Sequence, residues 1–437
     1  MRRIGFLALT GVLLVGCGTV IQAERQDTTV MYQTLREDKI INADIWDSQP
    51  KMLAAGLGFT NIIGVPGLST DNLALSRTLT RLAGGAWNTV SCSPDQTATL
   101  VSYTSAGTPD GVAKSYGQEV YYSDGLPIEF SWPMLPSTLD ATDFRVNLNN
   151  GQAVTPQVAS IYPNMEYNER SVAVIFGHFG NRFSSSQPGA IYPTSIEVVL
   201  DETPLQLVGP GLQIVSAVGL KADAPGSPYT DPDVEPAKRG GPKLVGAKLT
   251  RMSTDGDTAP KDFQQHLPND GVALYGDQAQ YRLRTYTSGG MTADGVRGLF
   301  PTDFARFFLL QATTSAGDTV LLTETGKDYL IDGKKLRVVG LADLGKKQET
   351  YNDCYVEDKD NYIDIILSGE VEAVSKITTV EIPSTGAYSP VYNPGGPGND
   401  PAPNVRYSAP SPPISQKVTI ALEDPLTVTY PDGASAR

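Results

Sequence analysis

Hydrophobic and polar positions along this 437-residue chain follow three different periods, and each predicts a different kind of element. Residues 4–16 form a short apolar stretch behind Arg2 and Arg3. Residues 69–85 repeat apolar side chains at helical spacing. Leu75, Leu79, Leu82 and Ala86 fall on one face, Ser69, Thr70 and Asp71 offer N-cap oxygens, and Gly84-Gly85 closes the turn. This predicts a helix over 70–84 that lays its leucines on a sheet. From residue 118 the period drops to two. Runs at 119–122, 127–132, 143–148, 154–161, 171–176 and 194–200 are rich in Val, Ile, Tyr and Phe. Asp-Gly, Asn-Asn-Gly and Pro turns separate them, at spacings typical of an antiparallel sandwich. Residues 205–220 add two more strand candidates around Gly209-Pro210-Gly211.

The stretch ADAPGSPYTDPDVEPAKRGG (222–241) breaks the alternation and reads as a linker, taken over 221–242. A second β-rich body follows from 243 to 437. Its strand candidates are 243–249, 280–285, 307–312, 319–322, 336–339 and 362–366, with a short helical turn in 302–308 behind Pro301. Asp332-Gly333 predicts a hairpin between 329–331 and 336–339. Residues 384–416 are too rich in Pro, Gly, Ser and Asn to form a core of their own. Strand candidates at 417–422 and 426–430 follow that loop, which predicts that the chain returns to an earlier sheet. The pattern as a whole predicts a mostly β, multidomain fold. It comprises an N-terminal mixed segment (49–117), a sandwich (118–220), a second β-rich domain and few short helices. The 43 Gly and 32 Pro agree with many turns and little long helix.

Two stretches resemble known families. Leu14-Val15-Gly16-Cys17 closes the charged and apolar N-terminus and resembles the lipobox of bacterial lipoproteins. The resemblance implies a signal peptide over 1–16 and a diacylglycerated Cys17 whose freed amino group is acylated, palmitate being typical. A polar tether over 17–48 would follow. Gly18 stands where an aspartate would resemble an inner-membrane retention signal, so the outer membrane is implied if the cell is Gram-negative. The second resemblance lies in LPIEFSWPMLPSTLDATDFRVNLNNGQAVTP (126–156). Here Phe130, Pro133, Ser137-Thr138-Leu139 and Asp143-Phe144 look like the opening of bacterial Ig-like domains of surface-layer and adhesin-type proteins. That implies an Ig-like sandwich and no catalytic residue, and fold alone does not give function.

Charge and cysteine usage change the picture in one direction. The net charge of −14 becomes −16 once Arg2 and Arg3 are removed (32 basic against 48 acidic residues). So acidic a body excludes nucleic acid as a partner and leaves the lipid as the means of membrane attachment. With Cys17 lipidated, Cys92 and Cys354 remain. An oxidising envelope permits a disulfide between them, and two separate buried thiols are the alternative.

Familiar catalytic signatures are absent: the sequence has no Gly-x-Ser-x-Gly elbow, no His-Glu-x-x-His, no P-loop and no dinucleotide glycine fingerprint. His178 and His266 fall in different predicted domains. Asp358, Asp360 and Asp364 in NDCYVEDKDNYID resemble part of a calcium loop, without the Gly and closing Glu of the EF-hand; the plainer reading is a solvated acidic loop. Smaller acidic groups stand at Asp255-Asp257 and Asp231-Asp233-Glu235. Tyr121, Tyr122, Phe130, Trp132, Tyr162 and Tyr167 cluster around the Ig-like segment. Trp132 before Pro133 is the candidate contact for a protein or glycan, against sandwich core as the plainer reading. These features add up to a lipid-anchored envelope protein with a non-catalytic binding or structural role. The alternative is a secreted-type hydrolase of polysaccharide or ester substrates using carboxylates or a serine.

Overall fold

A computed structural model describes residues 31–428 apart from 93–99, 225–226, 230–233, 265–270, 358–359, 396–404 and 424–427. Cys17, Asp358, His266, Asp231 and Asp233 therefore lie outside the described residues, as does most of the strand candidate at 426–430. The described chain is mostly β, with several antiparallel sheets and short helices.

In the first half the strands are β1 (Met52–Ala55), β2 (Phe59–Ile63), β3 (Asn88–Ser91), β4 (Leu100–Tyr103), β5 (Ser123–Phe130), β6 (Phe144–Leu148) and β7 (Ala153–Val154). They continue with β8 (Val158–Ser160), β9 (Val172–Gly177), β10 (Pro193–Val198), β11 (Gln206–Gly209), β12 (Gln213–Ser216) and β13 (Lys221–Asp223). One sheet runs β1-β5-β9-β8, with β2 also on β5; a second runs β13-β10-β6-β7. Alternation does the folding. Leu126, Ile128 and Phe130 of β5 and Ala173 and Ile175 of β9 point inward. They share one core with Phe144, Val146 and Leu148 of β6 and Ile196 and Val198 of β10. The sandwich is wider than the 118–220 alternation implies. Strands β1 and β2 come from the segment before it, and β13 from the stretch that reads as a linker. Strands β3 with β4 and β11 with β12 form two-stranded ribbons.

The second half repeats the plan. Strands β14 (Leu244–Arg251), β15 (Tyr281–Thr287), β16 (Leu309–Thr313), β17 (Thr319–Leu322) and β18 (Tyr329–Ile331) are followed by β19 (Lys334–Ala342), β20 (Tyr362–Gly369), β21 (Ile377–Ile382), β22 (Ile414–Lys417) and β23 (Thr419–Ile420). They form a six-stranded sheet, β18-β19-β20-β15-β14-β23, and a four-stranded sheet, β17-β16-β21-β22. Leu249, Leu283, Ile363 and Ile365 of the first share a core with Leu310, Ala312, Val380 and Ile382 of the second. The β18–β19 hairpin turns at Asp332 (φ 50°) and Gly333 (φ 78°), the left-handed pair that a two-residue turn requires. The chain does return: β23, within the expected 417–422 strand, adds to β14 in parallel, while β22 joins β21 from the end of the 384–416 stretch that reads as a loop.

Two expectations are corrected. Helix α1 (Leu73–Leu82) starts from Asn72, whose Oδ1 accepts the Leu75 N–H at 3.1 Å, and buries Ser76 and Thr80. Of the expected core face only Leu79 packs on the core, while Leu75 is 46% and Leu82 79% exposed. Polar anchors decide this: Ser76 Oγ donates to the Ser69 carbonyl and accepts the Ser69 N–H, both at 2.8 Å. Trp132 is not a surface aromatic either. It is 3% exposed, its Nε1 donates to the Asp47 carbonyl at 2.9 Å, and its six-membered ring lies where a Cβ on Gly209 would sit.

The two halves stack face to face. The outer face of the β1-β5-β9-β8 sheet, carrying Glu129 and Val172, meets the face of the six-stranded sheet carrying Tyr286 and Tyr362. Tyr286 Oη donates to the Ser171 carbonyl at 2.9 Å, and Asn361 Nδ2 donates to Glu129 Oε1 at 3.1 Å. A disulfide between Cys92 and Cys354, with Cα atoms 4.9 Å apart, also joins the halves.

Candidate functional site

The junction between the halves is built from charge. On β15, Arg282, Arg284 and Tyr286 alternate onto the face turned from the apolar core. Register sets Lys248 of β14 and Asp364 of β20 on either side of Arg284. A face of this composition normally meets water. Here the first half covers it with Asp44, Trp46 and the 161–171 loop, and Asp44, Lys248, Arg282, Arg284 and Asp364 are all buried.

Inside this junction each cation has carboxylates within reach. Arg284 grips Asp364 through Nε at 2.8 Å and Nη2 at 3.1 Å, and Nη2 also donates to Asp343 at 3.0 Å. Asp44 lies 3.2 Å from Lys248 Nζ and 3.5 Å from Arg282 Nη2. Burial pushes the Asp44 carboxyl up, but Lys248, Arg282 and Arg284 together outweigh it and hold it below its ordinary value. Trp46, Tyr286 and Tyr362 stack in sequence with ring centroids 4.9 Å apart at each step. Gly246 permits this, since a Cβ there would come within 2.6 Å of the Trp46 ring.

The covering loop is polar and buried as well. Asn164, Glu166, Asn168, Glu169 and Arg170 are each at most 4% exposed. Arg170 binds the loop to itself, donating to the carbonyls of Asn164 (3.2 Å), Met165 (3.1 Å) and Glu166. One carboxylate oxygen each of Glu166, Glu169 and Asp343 lies within 4.8 Å of the others. Asp343 reaches them from a left-handed backbone (φ 62°) just past β19. Burial first, then the neighbouring carboxylates, raise Glu166 and Glu169 well above the ordinary range. Asp257, on the segment that follows β14, is raised to about 7, mainly by burial.

A cleft of about 860 Å³ opens at the same junction. One wall is β1 with Gly56, Leu57 and Gly58; the opposite wall carries Lys243, Val245 and Ser288-Gly289-Gly290. Strand β1 ends its sheet path and has no hydrogen-bonded strand on its outer edge among the described residues, although β13 of the other sheet packs close to it.

Of the acidic positions singled out in the sequence as a calcium loop, Asp358 lies outside the described residues and the other two are engaged elsewhere. Asp364 is a buried partner of Arg284, and Asp360 is 3% exposed and accepts the Tyr362 N–H at 2.7 Å. Of the aromatics, Tyr121 and Tyr122 are exposed, whereas Phe130, Trp132 and Tyr167 are buried. His178 is exposed. Glu166 and Glu169 carried no signal: MEYNER between two strands reads as a wet loop, and only the docking of the second half buries it. Among the described residues no helix is long and apolar enough to cross a membrane. No family profile, curated protein or solved structure matches the chain.

Proposed function

We propose that this is a lipid-anchored envelope protein, held at the outer membrane through Cys17, whose Ig-like body binds a protein partner without catalysis. The observation that carries the reading is the cleft beside the unpaired edge of β1. An extended peptide can add to such an edge by main-chain hydrogen bonds, while the facing wall selects its side chains. Glycan binding is supported less, because stacking platforms are scarce: Phe59 and Tyr162 are the aromatic lining, and Phe59 is stacked on Tyr407. A glycosidase-type hydrolase needs two carboxylates facing the substrate. The lining carboxylates are Asp223 and Asp360, and Asp360 is buried and hydrogen-bonded to backbone.

The test uses the full-length chain in detergent against libraries of extended peptides and of soluble glycans. Saturable peptide binding, abolished by Lys243→Trp at the rim, is the expected result. Glycan binding alone, or turnover of ester or glycan substrates, would overturn the reading. For the anchor, Cys17→Ser is expected to release the protein from membranes, and persistent membrane association would contradict it.

A further inference from the structure

We infer that Glu166, Glu169 and Asp343, with Asp257 beside them, form a binding site for one calcium ion that joins the two halves of the molecule. The three carboxylates are 3%, 1% and 3% exposed and place one oxygen each within 4.8 Å of one another. Calcium–oxygen distances of about 2.3–2.6 Å span that separation, and calcium takes six to eight oxygens in flexible arrangements. Carboxylates alone would not carry the assignment, because acidic groups gather without an ion.

A second observation comes from a different segment of chain. The Asp257 side chain is 10% exposed, and its Oδ2 is buried without a hydrogen-bond partner. Asp257 is tied to the covering loop through Asn168, the residue before Glu169, and lies 3.8 Å from Arg282 Nη1. Asn168 Nδ2 holds the other oxygen, Asp257 Oδ1, leaving Asn168 Oδ1, 2% exposed, also without a partner. Glu169 Oε1 is unpartnered too. Such oxygens, charged and neutral, are the donors a hard cation collects, and burying them without one is costly.

Arg284 and Arg282 are shared among Asp44, Asp257, Asp343 and Asp364, and Arg170 turns its two terminal nitrogens to loop carbonyls, so no cation forms an ion pair with Glu166 or Glu169 among the described residues. Glu166 and Glu169 belong to the first half, Asp343 to the second, and Asp257 to the segment following β14. An ion here would hold the junction closed from within, and this inference does not depend on what the cleft binds.

The experiment uses the full-length protein in detergent, stripped with EDTA and desalted. Equilibrium dialysis with radioactive calcium should give one ion per chain, with a melting temperature raised by a few degrees. Glu169→Gln should weaken binding about tenfold or more. Asp257→Asn, at the edge of the cluster, should do so in a fold that keeps both glutamates, while exposed Asp255→Asn should change nothing. Folded wild-type protein that takes up no calcium at about 1 mM would overturn the assignment. So would undiminished binding by both variants, or an equal response to magnesium.

Discussion

Arg284 and Asp364 stand directly opposite each other on β15 and β20, and the guanidinium holds both carboxylate oxygens, at 2.8 and 3.1 Å. Asp343 shares the same Nη2. Removing the cation would leave Asp343 and Asp364 buried with only Arg282, 3.9 Å from Asp364, within reach, and breaking a buried pair costs about 3–5 kcal/mol. Arg284→Met is expected to lower stability by that amount in urea unfolding. Arg284→Lys keeps the charge but not the planar fork, so it should lose less. Equal and small losses for both would show that the pair contributes little.

The helix at 73–82 makes the opposite prediction. Leu82 is 79% and Leu75 46% exposed, while Ser76 and Thr80 are buried. Leu82→Ser should shift stability by no more than about 0.5 kcal/mol, whereas Thr80→Leu should destabilise by about 1–3 kcal/mol through overpacking. Thermal unfolding of the two variants side by side checks this. A large loss in Leu82→Ser would mean that the leucine face is covered in solution.

How far the sequence foretold this structure depends on where water ends up. The β18–β19 hairpin, the β11–β12 ribbon and the returning β23 were legible, because local alternation and turn chemistry are read within a few residues, whereas β22 begins inside the stretch that reads as a loop. Helix α2 (Pro109–Tyr116) carried an unread signal of the same local kind: Thr108 caps it, Pro109 opens it and Gly117 (φ 83°) ends it. The junction was not legible. Lys248, Arg282, Arg284 and Asp364 alternate like the wet face of a half-buried sheet, and nothing local says that another sheet will cover them. Trp132 failed for the same reason: its pocket is made by Asp47 and Gly209, each more than seventy residues away in sequence.

The Cys92–Cys354 disulfide closes a loop with a sequence separation of 262. A cross-link over so long a loop restricts the unfolded chain, and typical gains are about 2–4 kcal/mol. Reduction, or a Cys92→Ser/Cys354→Ser double variant, is expected to lower the unfolding midpoint without abolishing the β-sheet circular dichroism signal. Two free thiols titrating in the untreated protein would contradict the bridge.

Stability in the presence of a chelator should fall as pH rises. Burial is the largest cause raising Asp257 to about 7 and Asp343 to about 6, and it lifts Glu166 and Glu169 in the same direction. A folded value above the unfolded one, about 4 for a carboxyl, means that the native state keeps protons that the unfolded chain has released. That contribution is fully present below about pH 4 and is lost as pH climbs through about 6 to 7, a difference on the order of a few kcal/mol. Asp143, also raised to about 7 by burial, adds to the decline with the same sign and lies outside the carboxylate cluster. Calcium supplies positive charge to the cluster where protons leave it. Melting temperatures measured from pH 4.5 to 8.5 should therefore decline steeply in EDTA and less steeply in calcium. The gap between the two curves should widen toward alkaline pH. Parallel curves would mean that the ion and the protons act on different groups, and a chelator curve rising with pH would contradict the raised carboxyls themselves.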